Sequence, residues 1–246
     1  MTDNIDNKQL PLTFSTPNYM GREDFMVSEC NREAFMMIDS WPSWLSFGVL
    51  IYGPKGSGKS HLAHLFADKI STFLQKPVRV PLLNAKEITV NKVKKIYSEY
   101  QYIIVEDISP TADEEALFHL FNLYDTPEHY VLWTAETSPH QMQFKLRDLQ
   151  SRLNMLPAIA ITEPDDFMLQ MLIVKLFNDR QLVISPDILN YIIKNTRRSF
   201  AYVQSLVAEI DYLSLAWQKA VNYNMIKTAI DNLQQKEDKQ LDLFDE

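Results

Sequence analysis

The eight residues Gly53-Pro54-Lys55-Gly56-Ser57-Gly58-Lys59-Ser60 read G-x-x-x-x-G-K-S, the spacing of a loop that closes around phosphate. Glycine tolerates positive φ and close backbone approach, so several amide N–H groups can converge on one anion. Three of the five glycines fall in these eight positions, and none follows Gly58. Lys59 has the reach to meet β- and γ-phosphates, and the Ser60 hydroxyl suits Mg²⁺. A second set of groups fits the same chemistry. Tyr102-Ile103-Ile104-Val105 is a compact apolar run that ends in Glu106-Asp107. As a buried strand it would set both carboxylates at the C-terminal edge of a sheet, beside the phosphate loop. There one acid holds Mg²⁺ through water and the other orients the attacking water. By position, Glu106 serves the metal and Asp107 the water. At the end of the next strand, Thr134 to Thr137 would lie near the γ-phosphate. The phosphate loop alone leaves kinase, GTPase and ATPase open.

These groups need a scaffold, and the hydrophobic pattern supplies one. Val49–Tyr52 reads as the strand feeding the loop, and His61–Phe73 as the helix leaving it, with Leu62, Leu65, Phe66, Ile70 and Phe73 on one face. That helix points its N-terminal amides and dipole at the anion. Further strands are predicted at 78–83, 102–105, 130–134 and 158–161, and Pro81 demotes the first of these to an edge or a bulge. Helices are predicted at 31–41, 86–100, 113–124 and 144–153. Strands alternating with helices imply a parallel sheet covered on both faces. From Pro164 the strand signal stops, and helices follow at 164–179, 186–195, 200–220 and 225–234. The pattern divides the chain into a tail of residues 1–20, an α/β nucleotide domain of 21–162, an all-helical domain of 163–235 and a charged tail of 236–246. The fold class is therefore α/β, with a five-stranded parallel sheet flanked by helices and a helical lid.

Composition narrows the partners. The chain has 246 residues, 46% of them hydrophobic, enough for a sizeable core. Lys and Arg number 24 against 32 Asp and Glu, a net −8, which argues against a strong general affinity for DNA. Cys30 is the single cysteine, so no intramolecular disulfide or cysteine metal cluster can form. Apolar runs are too short to span a membrane, and Asp3 and Asp6 are wrong for a signal peptide. The cytoplasm is the expected location.

Taken together, a phosphate loop after a strand, a strand with paired acids and a helical lid resemble the AAA+ ATPases. Finer features are similar to the bacterial initiator DnaA and its short Hda-type relatives, nearest the alphaproteobacterial form often called HdaA. They are Asp24-Phe25-Met26-Val27 with Asn31 and Ala34, His61-Leu62 after the loop, Trp41-Pro42, Ser151-Arg152-Leu153, Glu163-Pro164 and an N-terminal Gln-Leu-Pro-Leu. The resemblance covers residues 9 to about 235, without the basic DNA-reading domain of the initiator. It implies that ATP or ADP and Mg²⁺ are the cofactors, that Phe25, Met26 and Val27 line the adenine pocket beside His61, and that Arg152 is an arginine finger aimed at a nucleotide on a neighbouring subunit. Two departures imply slow hydrolysis by the chain itself. The lid arginine that senses nucleotide is replaced by Ala201, with Arg197 and Arg198 displaced along the chain. Glu106 is one methylene longer than the usual Asp, and Mg²⁺ tolerates poor octahedral geometry badly.

Both ends carry short apolar peptides. Gln9-Leu10-Pro11-Leu12-Thr13-Phe14 has the form Q-L-x-L-x-F, and Gln240-Leu241-Asp242-Leu243-Phe244 the form Q-L-D-L-F. Both resemble the peptide that docks on the DNA polymerase III sliding clamp (its β subunit), with apolar anchors for a groove and a glutamine to fix register. The resemblance implies a negative regulator of replication initiation that meets the clamp and DnaA, and DNA only indirectly. Self-association is left open. The rivals are an autonomous clamp-associated ATPase and a DnaA-like accessory protein that binds DNA.

Overall fold

The run Gly48–Tyr52 (β1) is buried from Gly48 to Ile51, as an apolar strand covered on both faces must be. The computed structural model describes residues 21–242, with side chains to residue 236. Around β1 stand Leu82–Asn84 (β2), Tyr102–Glu106 (β3), Tyr130–Ala135 (β4) and Ala158–Ala160 (β5). All pair in parallel, in the order β2-β3-β4-β1-β5. The central strand is thus the one that enters the phosphate loop.

Alternate residues face opposite ways. Leu50, Ile103, Val105, Val131 and Trp133 pack with Val90–Glu99 (α3), Glu114–Tyr124 (α4) and Arg147–Met155 (α5). The other face receives Arg32–Asp39 (α1) and Lys59–Phe73 (α2), through buried Ala34, Ile38, Leu62 and Phe66. Trp41 closes the layer, edge-on to Phe66, Tyr102 and Tyr130.

Several boundaries differ from the sequence reading, each for a local reason. The second strand starts after Pro81, at the sheet edge, because Pro81 offers only its carbonyl, which accepts from Ile104 N at 3.0 Å. The third helix starts at Val90, not Lys86. The Asn84 side chain accepts from Lys86 N and fixes a 3-10 turn over Ala85–Glu87 instead. The fifth starts at Arg147, not Phe144. Glu114 accepts from the Lys145 and Leu146 amides at 3.2 and 2.7 Å, and Gln150 accepts from Phe144 N at 3.2 Å. Those amides are satisfied by side chains and need no helical turn.

Residues 164–242 form a second compact unit of Asp166–Asp179 (α6), Pro186–Asn195 (α7), Phe200–Trp217 (α8) and Tyr223–Asp242 (α9). Asp165, Ser185 and Ser199 cap the first three by accepting from Met168 N, Ile188 N and Tyr202 N. The core is Leu169, Ile173, Phe177, Ile192, Val203, Leu206, Ile210 and Ile226. The last helix continues beyond Gln234, where the periodicity ends. Glu209 on α8 accepts from both Asn232 and Lys236 at 2.8 Å and ties down that turn.

Candidate functional site

The C-terminal edge of the sheet collects the predicted phosphate-binding groups. Gly53 leaves β1 with its amide donating to Ala135 O at 3.2 Å. A Cβ on Gly53 would lie 2.5 Å from Ile161 O and 2.9 Å from Ile161 Cβ, so only glycine fits. Gly58, at φ +93°, caps α2 and leaves the Lys59 to His61 amides at a helix N-terminus. Pro54, Lys55 and Ser60 are exposed, and Gly56 turns at φ +79°.

Lys59 is 8% exposed, and its ammonium donates to Gly53 O at 2.8 Å and Pro54 O at 3.0 Å. Burial lowers its pKa, opposed by the carboxylates of Asp107, Glu136 and Glu106. Those three acids therefore share a field with the loop lysine. Ser57 is buried, and its hydroxyl is among the few buried side-chain polar atoms without a hydrogen-bond partner in the described residues. An orphaned hydroxyl inside a loop of converging amides fits a group that brings its own acceptors, as a polyphosphate does.

The acid pair sits on a held turn. Glu106 is half-buried at the end of β3, and Asp107 is exposed at φ +58°. Left-handed backbone is unusual for a side chain other than Asn or Asp. Here it is stabilised by Thr134, whose hydroxyl accepts from Asp107 N at 3.2 Å and whose carbonyl accepts from Ile108 N at 2.9 Å. Thr134 is 1% exposed, so its role is to hold this turn. Glu136, two residues on, is the exposed residue of this stretch whose charge reaches Lys59. Sequence reasoning reached the stretch but not this residue. The signal was a carboxylate one step past a strand that pairs with both β1 and β3.

Mg²⁺ keeps several waters and takes one or two carboxylates plus substrate phosphates. Ser60, Glu106 and Asp107 suit that mode. Among the described residues, no group of three or more His, Cys, Asp or Glu could hold a metal by itself.

The predicted base-pocket residues stand beside the loop. Phe25 is buried, its ring 3.4 Å from where a Gly58 Cβ would be, and His61 meets it edge-on at 5.0 Å. His61 Nε2 contacts Gly21 O at 2.9 Å. Met26 and Val27 are half-buried. Asn31, buried itself, donates to Met26 O at 2.8 Å and accepts from Ser28 N at 2.9 Å, which fixes this extended segment.

Arg152 is not part of this cluster. It lies in the last turns of α5, ahead of the N-terminal end of β5, and meets Asp125 Oδ2 through Nη1 at 3.6 Å. Asp125 precedes β4, so the pair marks the sheet edge opposite the phosphate loop. Arg152 is 40% exposed there. In the second unit, Ala201 is half-buried on α8, Arg198 pairs with Asp166 at 2.8 Å, and Arg197 lies over the Tyr202 ring. Gln9, Leu10, Leu12, Phe14, Leu243 and Phe244 lie outside the described residues, and Gln240 and Leu241 are within the backbone of α9.

The model of the bacterial DnaA ATPase domain matches residues 18–160. The chain belongs to that family. DnaA of Flavobacterium psychrophilum is 24% identical over 241 residues, covering 91% of this chain and 49% of the relative. The chain spans about half the length of the curated relatives it matches. Among solved structures, domain III of Thermotoga maritima DnaA superposes with a TM-score of 0.74 at 17% identity, covering 89% of this chain and 98% of that one. AMPPCP-bound DnaA from Aquifex aeolicus gives 0.64 at 21% identity, covering 94% and 72%. The fold is that of an AAA+ module, and the family match runs over residues 18–160 of the α/β unit, which ends at Glu163. Among the described residues, no helix is long and apolar enough to cross a membrane.

Proposed function

We propose that this DnaA-type module binds ATP or ADP with Mg²⁺ at Gly53–Ser60 and activates hydrolysis by the initiator DnaA in trans, as an Hda-type negative regulator of replication initiation. The AMPPCP carried by the Aquifex aeolicus relative supports the nucleotide class. A nucleotide bound there would supply the polyphosphate that the loop encloses, while the anhydride cleaved in the trans reaction is that of the ATP on DnaA. With it bound, Lys59 would neutralise phosphate charge, Ser60 and Glu106 would hold the metal, and Asp107 would orient water on the turn that Thr134 fixes.

The observation that carries the trans reading is the position of Arg152, half-exposed at the sheet edge away from its own phosphate loop. A guanidinium placed there faces outward, toward charge on another subunit, where it stabilises the transferring phosphoryl group. The terminal peptides tether the chain to the sliding clamp, and two of them add avidity where both reach their pockets. Hydrolysis by ATP-loaded DnaA with DNA-loaded clamp is the test. Arg152→Ala should lose most of the stimulation, and an unchanged rate refutes the assignment. Loss of clamp pull-down in the Leu10/Phe14→Ala and Leu243/Phe244→Ala variants tests the tether.

The intact Gly53–Ser60 loop with Glu106 and Asp107 favours a second reading, an autonomous clamp-associated ATPase. Turnover by the isolated chain at the rate seen with DnaA and clamp present would select it.

A further inference from the structure

A cavity of about 290 Å³ opens at the same sheet edge as Arg152, and Asp125, the ion-pair partner of Arg152, lines it. Its lining joins the rings of Trp44, Phe47 and Tyr130 to the carboxylates of Asp125 and Glu128. The aromatic wall is fixed. Trp44 donates through Nε1 to Met37 O at 2.7 Å and stacks on Phe66 at 5.0 Å and 10°. Tyr130 stacks on Tyr102 at 6.1 Å and 9°. The turn is fixed too, by Gln101 donating to Glu128 O at 2.6 Å. The Tyr102 hydroxyl is held above its ordinary pKa by burial, then by Tyr130 and by Glu128, which sets the Glu128 charge near that wall. No lysine or arginine lines the cavity among the described residues, and the histidine in its lining, His129, is stacked on Tyr97 at 4.8 Å. Leu45 at its rim is fully exposed, and Met155, one turn past Arg152, is 68% exposed.

Aromatic faces combined with carboxylates attract an ammonium or guanidinium group and repel an anion. We infer that this cavity receives a lysine or arginine side chain from the second AAA+ module, the one whose nucleotide Arg152 reaches. The inference rests on that reading of Arg152. It also gives Asp125 two partners. Arg152 meets Asp125 through one nitrogen at 3.6 Å, a loose contact. A cation entering the cavity takes over this carboxylate and leaves the Arg152 guanidinium to the partner's phosphates. Docking and presentation of the arginine are thereby one event.

The experiment measures hydrolysis by ATP-loaded DnaA, with DNA-loaded clamp, against the concentration of the full chain. Glu128→Gln and Asp125→Asn remove one carboxylate each, both on exposed positions outside the nucleotide cleft. Each should raise the half-saturating concentration roughly 3- to 10-fold and flatten its salt dependence, while the maximal rate of Glu128→Gln, which does not touch Arg152, stays within about 2-fold of wild type. Wild-type half-saturation in both variants overturns the inference, as does a maximal rate that collapses in Glu128→Gln. Arg152→Ala should instead lower the maximal rate at unchanged half-saturation. If it does not, the Arg152 reading fails, while the carboxylate variants still report on the cavity. Absence of any dose dependence with the wild-type chain overturns both.

Discussion

Glu114 offers a quantitative test of how the arginine-bearing helix is anchored. Its carboxylate reaches across 31 and 32 residues to accept from Lys145 N and Leu146 N at 3.2 and 2.7 Å. Glu114→Ala leaves both amides without that acceptor. A hydrogen bond to a charged group contributes about 1.5–3 kcal/mol. The Lys145 amide is exposed and water replaces part of its bond, so the two together come to about 2–3 kcal/mol. For a domain of this size that is a fall in melting temperature of about 4–10 °C. Glu114→Gln keeps one carbonyl oxygen and should lose about half as much. In a Trp217→Phe background, urea unfolding followed by the fluorescence of Trp41, Trp44 and Trp133 isolates the α/β unit, since Trp217 is the tryptophan that lies in the helical one. Hydrogen exchange adds a local readout, because the Lys145 and Leu146 amides should lose protection before the rest of α5. Wild-type protection at those two amides, with an unchanged urea midpoint, would refute the anchoring argument.

Lys59→Ala should weaken nucleotide binding by about 100-fold while leaving the melting temperature of the ligand-free chain within a few degrees, measured by equilibrium dialysis and calorimetry. Gly53→Ala should fail differently, since its Cβ meets backbone at Ile161; both nucleotide retention and urea midpoint should fall, and a normal midpoint would refute the steric argument. Phe25→Ala should raise the nucleotide Kd by about 10-fold with little effect on phosphate-only ligands such as pyrophosphate. In the helical unit, burial raises the Glu209 pKa, but hydrogen bonds from Lys236 and Asn232 outweigh it, and the net shift is downward. A carboxyl lowered on folding adds stability that is present above its unfolded pKa and is lost as pH falls through the folded value. Acid unfolding followed by circular dichroism should therefore begin at higher pH in Lys236→Ala, and an unshifted acid limb would contradict this.

The groups that contact phosphate were legible because they are contiguous. Gly53–Ser60 and Glu106-Asp107 each act as a short run at the end of an apolar strand, and strand ends in a parallel sheet meet at one edge. The other contacts that matter join residues far apart in sequence. Thr134 holds the Asp107 turn across 27 positions, and Asp125 meets Arg152 across another 27. Neither pairing leaves a periodic trace. Helix starts were misplaced for the same reason. Local propensity at Lys86 and Phe144 favours helix, but side chains of Asn84, Glu114 and Gln150 satisfy the amides first. Arg152 is the opposite case. Its own residue type and spacing say little, and its placement away from the phosphate loop became visible only with the strand order.

The close fit of Gly53 against Ile161 has a mechanical corollary. Ile161 N donates to Tyr52 O, and Thr162 N donates to Cys30 O at 3.0 Å, so one short stretch is pinned to the floor of the phosphate loop and to the segment behind Phe25. That stretch ends two residues before Pro164, where the helical unit begins. A ligand that reshapes the loop has no slack to absorb the strain there. Any movement of the loop floor must be shared by Ile161, by Thr162 and by the segment behind Phe25, because no one of these contacts can yield alone.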